Sequence, residues 1–310
     1  MRVLEVTEYG APDVLRLAER PDPWPVEGKV RVRMAATAVN PADLAIRSGV
    51  LAARLPSLAF PFTLGFDIAG VVLDDGHGFH AGQRVAGLYP WLMLGIGGGT
   101  NGEIVVADPS WLVPLPDNVD WATAATVPLN ALTASQALDL TGVRTGETVL
   151  VTGASGAVGA FAVQFAAVYG ADVVAVASAG DEDYVGGLGA KYVLTRAEPD
   201  ELARRVRQLT GGVDGVFDAA LIGAPALAAV RDGGTFVSAN QARMPGAERG
   251  ITVDAVLNRP DAAALGGIVD RIAGGELSTR VADVLPIEDG AEAHERVAGR
   301  GFRGRIVLEY

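Results

Sequence analysis

The spacing of apolar residues changes character along the chain. Over residues 1–35 they alternate or run in short blocks, MRVLEV, DVLRLAE and GKVRVRMAATAV, with RPDPWP before the last. Alternation in KVRVRM predicts a half-exposed strand. AGVVLD, GQRVAGLY and GEIVVADPS continue the strand-and-turn pattern, so the first third reads as β-rich. Helical spacing begins near Trp121, and from there strands and helices alternate. Thr148–Val151 is a short β-branched run followed at once by glycines, which predicts a buried parallel strand. Val158, Phe161, Ala162, Phe165 and Val168 recur at helical spacing, Gly170 closes the helix, and Val173–Ala177 is a second apolar strand. KYVLT, helix PDELARRVRQLT, strand GVFDAA, helix APALAAV and strand GGTFVSAN follow. This alternation predicts a doubly wound parallel sheet over residues 120–255. The tail IEDGAEAHERVAGRGFRGRIVLEY returns to a helix and a strand, which could pack back on the β-rich part.

Strand, glycine turn, helix, strand is a βαβ unit. In such units the first turn approaches a pyrophosphate, met by backbone N–H groups and the helix dipole. The common fingerprint is G-x-G-x-x-G. Here Gly156 and Gly159 fill the last two places, Ala154 stands at the first, and Gly153 lies one residue earlier. The short-chain pattern T-G-x-x-x-G-x-G is broken by Ala157, and no Tyr-x-x-x-Lys pair is present. Taken alone, the glycines leave two readings open: a dinucleotide loop, or a tight turn in a parallel sheet with no ligand.

A length of 310 residues fits two domains, and 49% hydrophobic with 20% charged residues fits a globular chain with a substantial core. The net charge of −12 argues against a nucleic-acid or anionic-membrane partner. No apolar run has the length of a membrane span and MRVLEVTEYG is not a signal peptide, so a cytoplasmic protein is expected. The absence of cysteine excludes disulfides and thiolate chemistry and removes the usual ligands of structural zinc. His77 and His80 stand in the polar turn DDGHGFH and His294 in a charged helix, and no metal is expected.

The blocks YGAPDVLRLAERPDP, AVNPADLAIRSG, GFDIAGVV, AGQRVAGL, LPDNVDWATAATVPLNALTASQAL, GASGAVGAFAVQFAAVYGADVVAVAS, GVDGVFDAA, DGGTFVSAN and GRGFRGRIVL follow one another in order. Together they resemble the medium-chain dehydrogenase/reductase superfamily, in its zinc-free quinone oxidoreductase (zeta-crystallin-like) branch. The resemblance implies an α/β fold: a GroES-like β-rich catalytic domain over 1–118, a doubly wound Rossmann domain over 119–257, and a segment 258–310 completing the first. It implies NADPH-dependent hydride transfer to a small quinone or α,β-unsaturated carbonyl by a homodimer. A biosynthetic enoyl reductase with a larger polyketide-like substrate, and a cofactor-binding protein with little turnover, are its alternatives.

The resemblance also assigns residues. Gly153, Ser155, Gly156, Ala157, Val158 and Gly159 would wrap the pyrophosphate, with Thr133, Ala219, Asn240 and Arg303 as further cofactor contacts. In AVNPADLAIRSG, Asn40 would line the nicotinamide, with Asp43 and Arg47 catalytic or a structural ion pair. The zinc enzymes' Gly-His-Glu corresponds to Gly65-Phe66-Asp67, so the histidine ligand is replaced by Phe66. Family tyrosines are replaced by Ala45 and Leu51, which points to protonation by solvent and an apolar pocket. Leu51, with Tyr89, Trp91 and Met93 of a glycine-rich loop, would contact substrate. Enzymes using NAD place an acid near the end of the second strand, where this chain has Ser178. Ser178, with Arg196 after the next strand, favours a 2′-phosphate and hence NADPH, with Asp181–Asp183 expected to turn to solvent.

Overall fold

The computed structural model describes residues 1–54, 58–196, 198–299 and 303–310. Packing divides the chain into two units, Met1–Leu129 with Arg259–Tyr310, and Asn130–Asn258.

The first unit opens with strands β1 Arg2–Val6, β2 Leu15–Glu19, β3 Val30–Val39, β4 Phe62–Thr63, β5 Asp67–Val72, β6 Arg84–Leu88, β7 Ile104–Ala107 and β8 Leu112–Pro114. Its helices before the crossing are α1 Pro41–Arg47, α2 Trp91–Leu94 and α3 Trp121–Ala125, and α4 Pro128–Thr141 carries the chain into the second unit. There follow β9 Thr148–Thr152, α5 Ala157–Val168, β10 Asp172–Ala177, α6 Glu182–Gly187, β11 Tyr192–Thr195, α7 Pro199–Thr210, β12 Val213–Asp218, α8 Ala224–Leu227, β13 Val230–Ser238 and β14 Thr252–Ala255. Back in the first unit come α9 Ala262–Ala273, β15 Val281–Pro286, α10 Gly290–Ala298 and β16 Arg305–Glu309.

The second unit is a six-stranded parallel sheet in the order β11-β10-β9-β12-β13-β14. The central strand β9 is buried along its whole length, as a continuous β-branched run requires when helices cover both faces. Crossing order reverses beside β9, so the carboxyl ends of β9, β10 and β12 flank the switch point where doubly wound sheets hold ligands. The expected helix over APALAAV is a single turn. Val230 instead enters β13, pairing with Val213, because a β-branched residue between two strands gains more from the sheet than from another helical turn.

In the first unit β3 holds the main sheet together, pairing with β5, β7 and β16. Alternation in its first half gives one exposed and one buried face, and its last four residues are all buried where β16 lies alongside. Helix α3 packs on β3 and β5, so the division by packing falls at Leu129, later in the chain than the boundary at 118–119 that the resemblance implies. Among the described residues no helix is long and apolar enough to cross a membrane.

β14 is one edge of the parallel sheet. Among the described residues no strand pairs with its outer side, and such an edge pairs readily with a second copy across a twofold axis. The protein is expected to scatter light as a species of twice the chain mass at micromolar concentration. A mass of one chain removes this expectation.

Candidate cofactor turn and buried polar cluster

The turn after β9 is shaped by contacts that leave no room for side chains. Gly153 adopts φ +64, a left-handed conformation that only glycine enters freely, and its amide neighbour Ala154 donates to Val176 O of β10 at 3.0 Å. Gly159, one turn into α5, lies against the same backbone: a Cβ there would sit 2.2 Å from Gly153 O. Gly159 thus permits the close approach of helix and strand. Gly156 is different. It is the residue before α5, and a Cβ on it would meet only Gly153 O, at 3.3 Å. Its place is open on the side the first-turn amides face. Ser155 is 8% exposed, and its Oγ accepts from Ser178 N at 2.9 Å, tying the turn to the end of β10.

The end of β12 completes this edge. Asp218 is fully buried, taking Thr152 Oγ1 at 2.6 Å and the amides of Ile222 and Gly223 at 3.2 and 2.7 Å. Thr152 Oγ1 in turn accepts from Ala220 N at 3.0 Å, which brings the backbone of Ala219 beside Gly153. Gly153, Ser155, Gly156, Ala157, Val158, Gly159, Ser178 and Ala219 therefore share one rim. Sequence reasoning passed over Asp218, although a single carboxylate ending an apolar strand was the available signal. Asn240 ends the loop after β13, its Oδ1 accepting from Ala242 N. Thr133 is buried in α4, and Arg303 is exposed in the first unit. These geometries suit a dinucleotide: successive amides at an open helix start, no Cβ in the way, and hydroxyl donors alongside.

Asp181 corrects an expectation. It is 3% exposed instead of turned to solvent, at the position before α6, where its amide donates to Ser178 O at 3.1 Å. Glu182 is half-buried and hydrogen-bonded, and only Asp183 is exposed. Arg196 is exposed at the end of β11, with its amide on Ala177 O at 2.8 Å.

The first unit holds a second constellation, closed to water. Asn40, between β3 and α1, is 1% exposed. Its Nδ2 donates to Asp67 Oδ2 at 2.8 Å and its Oδ1 accepts from Arg305 Nε at 3.0 Å. Asp43 turns back on its own helix start, accepting from Asn40 N at 2.8 Å and from Gly65 N at 2.9 Å. Asp67 also accepts from Leu129 N at 2.7 Å. Burial pushes the Asp43 carboxyl up to about 6 and Asp67 up to about 7, against their hydrogen bonds and the nearby Arg305 charge. Burial brings the Arg305 guanidinium down to about 10, against the attraction of Asp67 and Asp43.

Arg47 makes no ion pair with Asp43 among the described residues; its Nη1 donates to Gly10 O at 2.7 Å. Beyond it, His294 of α10 is fully buried, and neither ring nitrogen has a hydrogen-bond partner among the described residues. Burial, helped by the Arg47 charge, holds its imidazole near 3.

The aromatic loop is split by burial. Trp91 is fully buried, its ring 6.2 Å from that of Phe62 and 5.8 Å from that of Phe66. Tyr89 is 9% exposed, donating its hydroxyl to Val106 O. Met93 is 51% exposed, with Leu94 and Ile96 beyond it, and Leu51 is half-buried. The residues do not fit a catalytic zinc. Phe66 fills the histidine place with a packed ring, both oxygens of Asp67 are engaged, and no group of three His, Cys, Asp or Glu converges among the described residues.

Two family profiles match the chain, the alcohol dehydrogenase GroES-like domain over residues 26–117 and zinc-binding dehydrogenase over 188–308. It is 36% identical to a chloroplast envelope quinone oxidoreductase homolog of Arabidopsis thaliana, over 66% of this chain and 63% of that one. It is 31% identical to a probable zinc-binding oxidoreductase, mitochondrial, of Arthroderma benhamiae, over 95% of this chain and 93% of that one. A solved NAD-dependent alcohol dehydrogenase superposes with TM-score 0.86 and 31% identity over 100% of both chains. A mycobacterial protein solved in complex with NADPH superposes with TM-score 0.82 and 28% identity, again over 100% of both.

Two outcomes follow for the first unit. Truncating Trp91 to Ala empties a fully enclosed space, so it should cost about 3–5 kcal/mol of folding stability in urea unfolding. A loss confined to catalysis would place the ring at the substrate instead. The second concerns pH. Asp43 and Asp67 lie above the unfolded carboxyl value of about 3.9, so they bind protons more readily folded than unfolded, and their contribution to stability falls as pH rises through 6 and 7. Arg305 limits that fall. Arg305→Met should cost about 3–5 kcal/mol at pH 8 and distinctly less at pH 5, where the carboxyls take up protons. Equal losses at both pH values would mean that Arg305 acts by packing alone.

Proposed function

Because the chain belongs to the medium-chain dehydrogenase/reductase superfamily, with quinone oxidoreductase homologues among its relatives, it is an oxidoreductase, and we propose that it reduces a quinone or α,β-unsaturated carbonyl with NADPH. The observation that carries this reading is the open rim from Gly153 to Gly159, joined by Ser155 to the end of β10 where no carboxylate ends the strand. Ser178 and Arg196, both exposed there, supply a hydroxyl and a cation for a 2′-phosphate.

A bound nicotinamide supplies a hydride. The protein's part is to bind the pyrophosphate on first-turn amides and to hold the acceptor carbon in reach. Charge developing on the acceptor oxygen calls for a donor. Asn40 is committed to Asp67 and Arg305, and Asp43 to backbone amides, so in this reading both position α1 and leave protonation to solvent. Ala45 and Leu51 bring no hydroxyl. Exposed Met93, Leu94 and Ile96 favour a flat or apolar acceptor over a charged one.

The decisive measurement is kcat/KM for NADPH and NADH with one accepted quinone or enone from a small panel. NADPH is expected to be preferred, and Arg196→Ala to narrow the preference. A clear NADH preference in the unaltered protein overturns the cofactor choice. Gly156→Asp should abolish cofactor binding while leaving the unfolding midpoint nearly unchanged, since only Gly153 O is near. Retained NADPH affinity in a folded variant would overturn the loop assignment.

A further inference from the structure

This inference rests on the cofactor reading above and concerns what limits it. Of the acidic residues that follow β10, Asp181 is buried and Asp183 is exposed, whereas Glu182, the first residue of α6, is half-buried at the surface. Its carboxylate does not extend into water. Oε2 accepts from Gly180 N at 2.8 Å, and Oε1 accepts from Thr195 Oγ1 at 2.7 Å. Gly180 lies two residues past Ser178, and Thr195 is the residue before Arg196. One carboxylate is thus clamped between the two strand ends that the doubly wound fold brings to the adenosine ribose. Ser178 N, bonded to Ser155 Oγ, ties that same edge to the glycine turn.

A carboxylate fixed there acts through charge. It favours a ribose bearing hydroxyls and opposes one bearing a phosphate dianion, whereas Arg196 does the reverse. Arg196 is exposed, whereas Glu182 is held by hydrogen bonds from Gly180 N and Thr195 Oγ1. We propose that Glu182 is the specificity-determining residue of this chain, a built-in counterweight to Arg196 that keeps NADH usable and narrows the NADPH preference.

The test is direct binding of NADPH and NADH to the purified full-length protein, by titration calorimetry, for the unaltered chain and for Glu182→Gln. Glutamine keeps the shape and removes the charge. The NADPH-to-NADH affinity ratio should rise roughly fivefold or more, the scale of one charge interaction at a protein surface, mainly through tighter NADPH binding. Thr195→Val, which removes the hydroxyl that holds Oε1, should move the ratio in the same direction by less, and it serves if Glu182→Gln fails to fold. Raising salt should weaken NADPH binding more in Glu182→Gln than in the parent, because Arg196 then acts unopposed. A ratio unchanged within about twofold in folded variants that bind both cofactors overturns the role of Glu182 and leaves the cofactor reading standing. Failure of the unaltered protein to bind either cofactor overturns both.

Discussion

A guanidinium shut away from water must be matched by negative charge and by acceptors for its N–H groups, and the β-rich unit is organised around that requirement. Arg305 begins the last strand, Asn40 follows β3, Asp43 lies in α1 and Asp67 begins β5. Four segments far apart in sequence are joined through hydrogen bonds that run from Arg305 to Asn40 to Asp67 and on to Leu129. Removing any member leaves a buried polar group without its match, which costs more than the net worth of the bond itself. Two carboxylates face one cation, and burial raises both carboxyls toward neutrality against its attraction. The network thereby fixes register between strands that apolar packing alone would allow to slide.

The parallel unit solves a different problem with backbone instead of charge. The open rim after β9 is made by what is missing: no Cβ at Gly159, and a left-handed residue at Gly153. Buried Asp218 then holds the neighbouring loop by satisfying two amides and a hydroxyl, so the rim is stiffened from below before any ligand arrives. Pre-organisation of this kind lowers the ordering cost of binding.

Much of the parallel unit was legible in the sequence, because there the signals are local. A β-branched run followed by glycines, a helix at 3.6-residue spacing and a second apolar strand map directly onto β9, α5 and β10. The order of strands in the sheet was legible only by resemblance, since periodicity says nothing of neighbours. Site chemistry was legible by residue type and less by direction. Asn40, Asp43 and Arg47 sit on one short helix and its entry, yet their side chains leave in three directions, to Asp67 and Arg305, to backbone amides, and to Gly10 O. Trp91 and Met93 are two residues apart in one helix, with one ring enclosed and one thioether exposed. Asp181 and Asp183 divide in the same way. Burial of a single residue depends on which neighbours arrive from distant segments, and a one-dimensional pattern does not carry that information. Arg305 is the sharpest case, for a lone cation in an apolar strand signals a buried partner without naming it.

The tilted rings of Phe62, Trp91 and Phe66 also bear on the conditions under which this unit keeps its shape. They set hydrocarbon beside Asp67, and the 310 residues include no cysteine thiol for peroxide to attack. The packing of this unit therefore does not depend on the thiol redox state of its surroundings.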